Sequence, residues 1–157
     1  MTPQNHALSS ERVHDRCFWA QGIAPGLELY GKTVRDLPAD LRQHCKPSDL
    51  SQMHISQSDM NRLWNAAAKL SQDECFGLRM GRHYQSNTLS LLALSAASSE
   101  TLGEAIQRLI RFMPIFSSQV QLYSVEDDQY LTLYFQPRGN PHPLHMEAVM
   151  SQCNKIW

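Results

Sequence analysis

Apolar positions recur at helical spacing along several stretches of the chain and alternate along one. The sharpest helical stretch opens at Thr101, where Leu102, Ala105, Ile106, Leu109, Ile110 and Met113 form one wide apolar stripe. Thr101 and Glu104 open it as a capping box, and Pro114 is expected to stop it at Met113 or soon after. Behind an S-x-x-D start at Ser56 and Asp59, Met60, Leu63, Trp64, Ala67 and Leu70 predict a helix to about Ser71. The carboxylate of Asp73 suits the start of another helix carrying Phe76, Leu78 and Met80, which fails around Tyr84 to Thr88. Leu89 to Ala97 is apolar without β-branched residues and reads as a buried helix. A last helix begins near Leu144 and sets Met146, Val149, Met150, Cys153 and Trp157 on one face.

The clearest strand signal is Gln119 to Val125 with Tyr130 to Gln136. In the second segment Leu131, Leu133 and Phe135 alternate with Tyr130, Thr132 and Tyr134. The polar run at 126–129 between them predicts a hairpin, and the proline-rich run at 137–143 a loop. Toward the N-terminus the pattern weakens. Residues 1–9 are polar and expected to be disordered. Ser10 suits the cap of a short helix carrying Val13, Cys17 and Phe18, and Leu27, Leu29 and Val34 suggest a short strand among glycines and prolines. The elements together predict an α+β domain over 10–157, with several helices packed on a small antiparallel sheet that contains the hairpin.

Composition narrows the function classes. The chain has 157 residues, 42% hydrophobic and 18% charged, so it can build a core. A net charge of −1 with scattered lysines and arginines gives no field to hold nucleic acid, so any DNA contact belongs to residues outside this sequence. No apolar run reaches the ~20 residues of a membrane span, and no signal-peptide pattern opens the chain. The four cysteines lack a C-x-x-C pair. These features predict a cytoplasmic protein with free thiols. Ser-His-Asp chemistry has the residue types but no G-x-S-x-G elbow, so no enzyme is expected.

Two blocks are more specific. They read Phe76-Gly-Leu-Arg-Met-Gly81 and Ser98-Ser-Glu-Thr-Leu-Gly-Glu-Ala-Ile106. Together with the hairpin and final helix, from about Ser56 to Trp157, they resemble the N-terminal effector-sensing domain of AraC-type bacterial transcription regulators. This sequence departs from the family pattern at Glu100, where a proline is common, at Ser90 and Ala93, where glycines are common, and in the loop after Gly81. The resemblance implies a domain that binds a small-molecule effector, forms a homodimer, or both. It implies control of DNA binding by a separate helix-turn-helix domain that would follow. The chain reaches Ile156 and Trp157 on an apolar helix with neither a glycine nor a cap, so a fragment of a longer protein is expected. The alternative is a ligand-free helical interaction module.

Candidate site residues follow from side-chain type. Arg79 and Arg82, like Arg108 and Arg111, lie three apart on predicted helices; one pair turned inward would grip a carboxylate, and otherwise they line solvated faces or partner Glu74 and Glu104. Tyr123 and Tyr134 on the hairpin suit an effector pocket, or else simple cross-strand pairing. Arg79, Arg82, Arg111, Tyr123 and Tyr134 are therefore the effector candidates, and Met146, Val149, Met150, Cys153 and Trp157 the dimer candidates. His142 and His145 lack the further ligands zinc needs, so neither metal nor cofactor is expected. Gly77 and Gly81 at helical spacing suit close helix packing better than phosphate binding, since no strand precedes them.

Overall fold

The computed structural model describes residues 14–16, 18–46, 54–83 and 87–154. In chain order it contains β1 (His14–Arg16), α1 (Phe18–Glu28), β2 (His54–Ser56), α2 (Gln57–Ser71), α3 (Phe76–His83), α4 (Asn87–Ala97), α5 (Leu102–Phe116), β3 (Val120–Glu126), β4 (Leu131–Pro137) and α6 (Pro143–Cys153). Two short 3-10 turns, Val34–Asp36 and Arg42–Cys45, connect α1 to β2. β1 pairs antiparallel with β2, and β3 with β4. The fold is α+β, as the sequence pattern predicts. One continuous core runs from Trp19 on α1 through α2, α3 and α6 to Leu109 on α5 and Leu122 on β3.

The start of the chain differs from expectation. His14–Arg16 is a strand, and the first described helix begins at Phe18. The proposed cap Ser10, with Val13 and Cys17, lies outside the described residues. Leu27 is the last buried position of α1 and Val34 sits in a 3-10 turn, so the expected strand does not form. The physical reason is spacing. Trp19, Ala20, Ile23 and Leu27 fall on one helical face, and burying all four outweighs the local cost of Gly22, Pro25 and Gly26.

Helix α2 begins and packs as predicted. The Ser56 hydroxyl accepts from the Asp59 amide at 3.1 Å, and Met60, Leu63, Trp64 and Ala67 are buried. The block from Phe76 to Gly81 then divides α3 between two neighbours. Phe76 and Met80, one turn apart, point at α1, where a Cβ on Gly26 would stand 2.8 Å from Met80 Cγ. Gly77 and Gly81, also one turn apart, face the backbone of α6. A Cβ at Gly77 would overlap the Leu144 carbonyl, and one at Gly81 would lie 2.7 Å from the Ala148 carbonyl oxygen. Leu78, carried on the same helix, is exposed. Two side chains of α6 complete the crossing: Ser151 donates to the Leu78 carbonyl at 2.9 Å, and Gln152 Nε2 donates to the Gly81 carbonyl.

The centre of this helical group is aromatic. His145 of α6 lies between Trp19 and Trp64, with ring centroids 5.4 and 5.8 Å away. Trp64 Nε1–H donates to His145 Nδ1 at 3.1 Å, which places the ring proton on Nε2. Burial, with His142 adding to it, holds the imidazole pKa down at about 3. Helix α6 is aimed by a strap from α2. Gln57 Nε2 donates to the Arg138 carbonyl, Asn61 Nδ2 to the Asn140 carbonyl, and the His142 amide to Asn61 Oδ1. The His142 ring then caps α6 by accepting from the Leu144 amide.

Helix α5 opens as predicted, with Thr101 Oγ1 accepting from the Glu104 amide at 3.2 Å. Glu104 reaches back to the Glu100 amide, one residue before the cap. Ala105, Ile106, Leu109 and Met113 are buried, whereas Leu102 is 59% exposed. Pro114 does not stop the helix, which runs to Phe116; the Ser117 amide still reaches the Met113 carbonyl. Helix α4 is buried only at Leu92 and Ala96 among its described side chains, and Leu91 and Leu94 are each 67% exposed. It is therefore amphipathic, not buried throughout as expected. Arg108 binds the Ser95 carbonyl and the Ser98 hydroxyl rather than Glu104, tying α5 to the end of α4. On the hairpin, Leu122 opposite Phe135 and Ser124 opposite Leu133 form the inner face, where Gln107 of α5 donates to the Ser124 hydroxyl. Cys75 and Cys153 are free thiols, the first exposed and the second buried in the core.

The packing is testable at three residues. Gly77→Ala forces a methyl into the α6 backbone and should cost about 3 kcal/mol in urea unfolding. Gly103→Ala, at an open helical position, should instead gain about 0.5 kcal/mol. For His145 the folded pKa lies below the unfolded value near 6.5, so its neutral burial favours folding fully above that value. That contribution should fall by about 1.4 kcal/mol per pH unit as pH drops from 6.5 toward 3. Chemical denaturation at several pH values checks this, and His145→Gln should flatten the slope.

Candidate functional site

The described residues form an open cleft of about 730 Å3 between the end of α1 and the junction of α2 with α3. Tyr30, Asp73, Cys75, Arg79 and His83 line it, with Leu29 at one wall. Its geometry begins with how α2 ends. Gln72 adopts the left-handed region at φ 53°, and its amide closes the helix on the Ala68 carbonyl. A non-glycine residue there carries about 1 kcal/mol of backbone cost. The turn brings Asp73 to the start of α3, where Oδ1 accepts from the Cys75 amide at 2.8 Å.

Asp73 Oδ2 is the meeting point of the cleft. The Tyr30 hydroxyl donates to it, and Arg79 Nε donates to it at 2.5 Å. The Tyr30 ring packs against Phe76 with centroids 5.9 Å apart, so the core fixes the aromatic side while the hydroxyl faces the carboxylate. The hydrogen bond from Tyr30, the amide of Cys75 and the charge of Arg79 hold the Asp73 carboxyl below its ordinary range. Burial, together with Asp73, pushes the Tyr30 hydroxyl up to about 12. Behind the cleft, on α6, burial raises the Glu147 carboxyl while the Leu78 amide offsets part of that rise.

The sequence-derived candidates are dispersed. Arg79 lines the cleft. Arg82 is exposed on the last turn of α3, and Arg111 is exposed on α5 with its guanidinium 5.9 Å from the Phe112 ring centroid. Tyr123 and Tyr134 are cross-strand partners, stacked at 4.9 Å and 7°, on the hairpin face that carries neither Leu122 nor Phe135. Among the dimer candidates, Val149 and Cys153 are in the chain's own core, Met146 packs against it and Met150 is 43% exposed. Trp157 lies outside the described residues. His142 and His145 serve as a helix cap and a core ring, and no group of three metal-ligating side chains occurs among the described residues. Tyr30 is a cleft residue that no sequence pattern marks. It stands 43 residues from Asp73, and no local spacing connects the two.

The geometry is that of an open cleft with a polar centre on a helical α+β domain. The family model for the arabinose-binding domain of AraC transcription regulators, N-terminal, matches residues 42–155, and the chain belongs to that family. Neither a curated protein nor a solved structure matches it. Among the described residues no helix is long and apolar enough to cross a membrane.

Tyr30→Phe should raise the Asp73 pKa toward its ordinary value, followed by carboxyl carbon resonances in an acid titration. Because a depressed carboxylate pKa favours the fold only above that pKa, the variant should lose about 1 kcal/mol at pH 7. The difference from wild type should shrink as pH falls through the folded value.

Proposed function

We propose that this domain senses a small-molecule effector in the cytoplasm and thereby sets how a separate DNA-binding domain is presented. The observation that carries this reading is the double use of one family block. The residues from Phe76 to Gly81 supply both Arg79 in the cleft and the glycines that seat α3 on α6. A compound bound at Arg79 therefore acts on a helix whose opposite side determines interhelical packing. An effector that prefers one seating of α3 shifts the population of domain arrangements, by no more than its difference in affinity for them. Arg82, Arg111, Tyr123 and Tyr134 do not line the cleft, so within this reading the effector is centred on Arg79. Homodimerisation belongs to the same proposal, with Met150 as the exposed member of the α6 stripe.

Sedimentation and thermal unfolding of the chain with a panel of sugars including arabinose, amino acids and fatty acids test it. An effector at a hundred times its Kd should add about 2.7 kcal/mol to stability and shift the monomer–dimer balance. A panel in which no compound changes either quantity favours a passive interaction module.

A further inference from the structure

Resting on the sensing role, the ligand class is legible in how the Arg79 guanidinium is held. Its Nε–H is committed to Asp73, which fixes the plane of the group. No described residue takes the N–H groups of its two terminal nitrogens, and the side chain lines the open cleft. Asp73 itself is engaged on both oxygens, by the Cys75 amide on one and by Tyr30 and Arg79 on the other. With three donors already on it, it serves chiefly to support the arginine. What faces the cleft is thus a planar fork of donors backed by a neutralised carboxylate.

We propose that this cleft recognises a small monocarboxylate, received end-on by the two terminal nitrogens of Arg79. A carboxylate matches the fork with two parallel hydrogen bonds. A phosphate dianion matches its donors but would bring a second negative charge beside Glu74, which lines the cleft. An uncharged amide loses the charge-assisted part of both bonds. The rest of the ligand meets the exposed side chain of Leu29 and the Tyr30 ring, so an apolar or aromatic body fits better than a strongly polar one.

Benzoate, benzamide and inorganic phosphate are the probes, titrated into the chain with the Arg79 side-chain nitrogens and the Asp73 and Cys75 amides read by NMR. Benzoate should give saturable shifts at these positions in the millimolar range, with benzamide and phosphate at least tenfold weaker. Arg79→Lys keeps the charge but removes the fork, and should weaken benzoate at least tenfold. Glu74→Gln removes a like charge without touching the Asp73 network, and should tighten it about threefold. Equal binding of benzamide, tighter binding of phosphate, or benzoate binding unchanged in Arg79→Lys overturns the proposal, as does the absence of any benzoate shift. An effector from the wider panel that binds Arg79→Lys as it binds wild type overturns the carboxylate assignment while leaving sensing intact. Sensing fails separately if the whole panel is inert.

Discussion

Helix α3 is only eight residues long, yet it touches α1 on one side and α6 on the other. It holds that place because Gly77 and Gly81 let the α6 backbone come closer than any side chain would permit. Close approach also brings polar side chains of α6 within reach of α3 carbonyls, so Ser151 and Gln152 bond to Leu78 and Gly81. A short helix has little stability of its own. Here its register is set by a neighbour's backbone, which a change of side chain cannot easily relax. The aromatic centre depends on the same contact, because α6 must lie this near for His145 to enter between Trp19 and Trp64.

Polar groups in this fold are sorted by depth. At the centre the imidazole is neutral and spends its Nδ1 on an indole N–H, which avoids burying a charge. At the surface, ions gather where the chain must turn. Asp73 collects Tyr30, Arg79 and a helix amide where α2 gives way to α3, and Arg62 pairs with Asp40 and Asp59 beside the start of α2. Exposed pairs of the second kind contribute little to stability. The Asp73 cluster differs in having one donor, Tyr30, whose ring is anchored in the core.

Elements built on local spacing were readable from the chain. The caps at Ser56 and Thr101, the α2 and α5 stripes and the hairpin all rest on neighbours within four residues or on strict alternation. Misreadings arose where distant burial overrode local preference. Pro25 sits inside α1 because four apolar residues share its inner face, and Pro114 leaves α5 intact for another turn. Exposure of Leu91 and Leu94 was invisible for the opposite reason: an apolar helix with no charged residue gives no sign of which side faces water. The cleft was half legible. Arg79 stands in a recognisable block, but its orientation comes from Asp73 and Tyr30, and only the fold brings Tyr30 there.

That division explains why one six-residue block can serve structure and the proposed recognition together. On a helix, positions one turn apart share a face, so Phe76 with Met80 and Gly77 with Gly81 use two faces for packing. The intervening Leu78, Arg79 and Arg82 are left outside. Of these, Arg79 is the one whose side chain joins the cleft, because Asp73 at the preceding turn captures its Nε. Any shift of α3 toward or away from α6 must therefore move the guanidinium relative to Tyr30, whose backbone lies in the turn that closes α1. In the proposed sensor, a ligand bridging Arg79 and the Tyr30 wall would resist that displacement. Its binding energy would then act directly on the helix contact that the rest of the core requires.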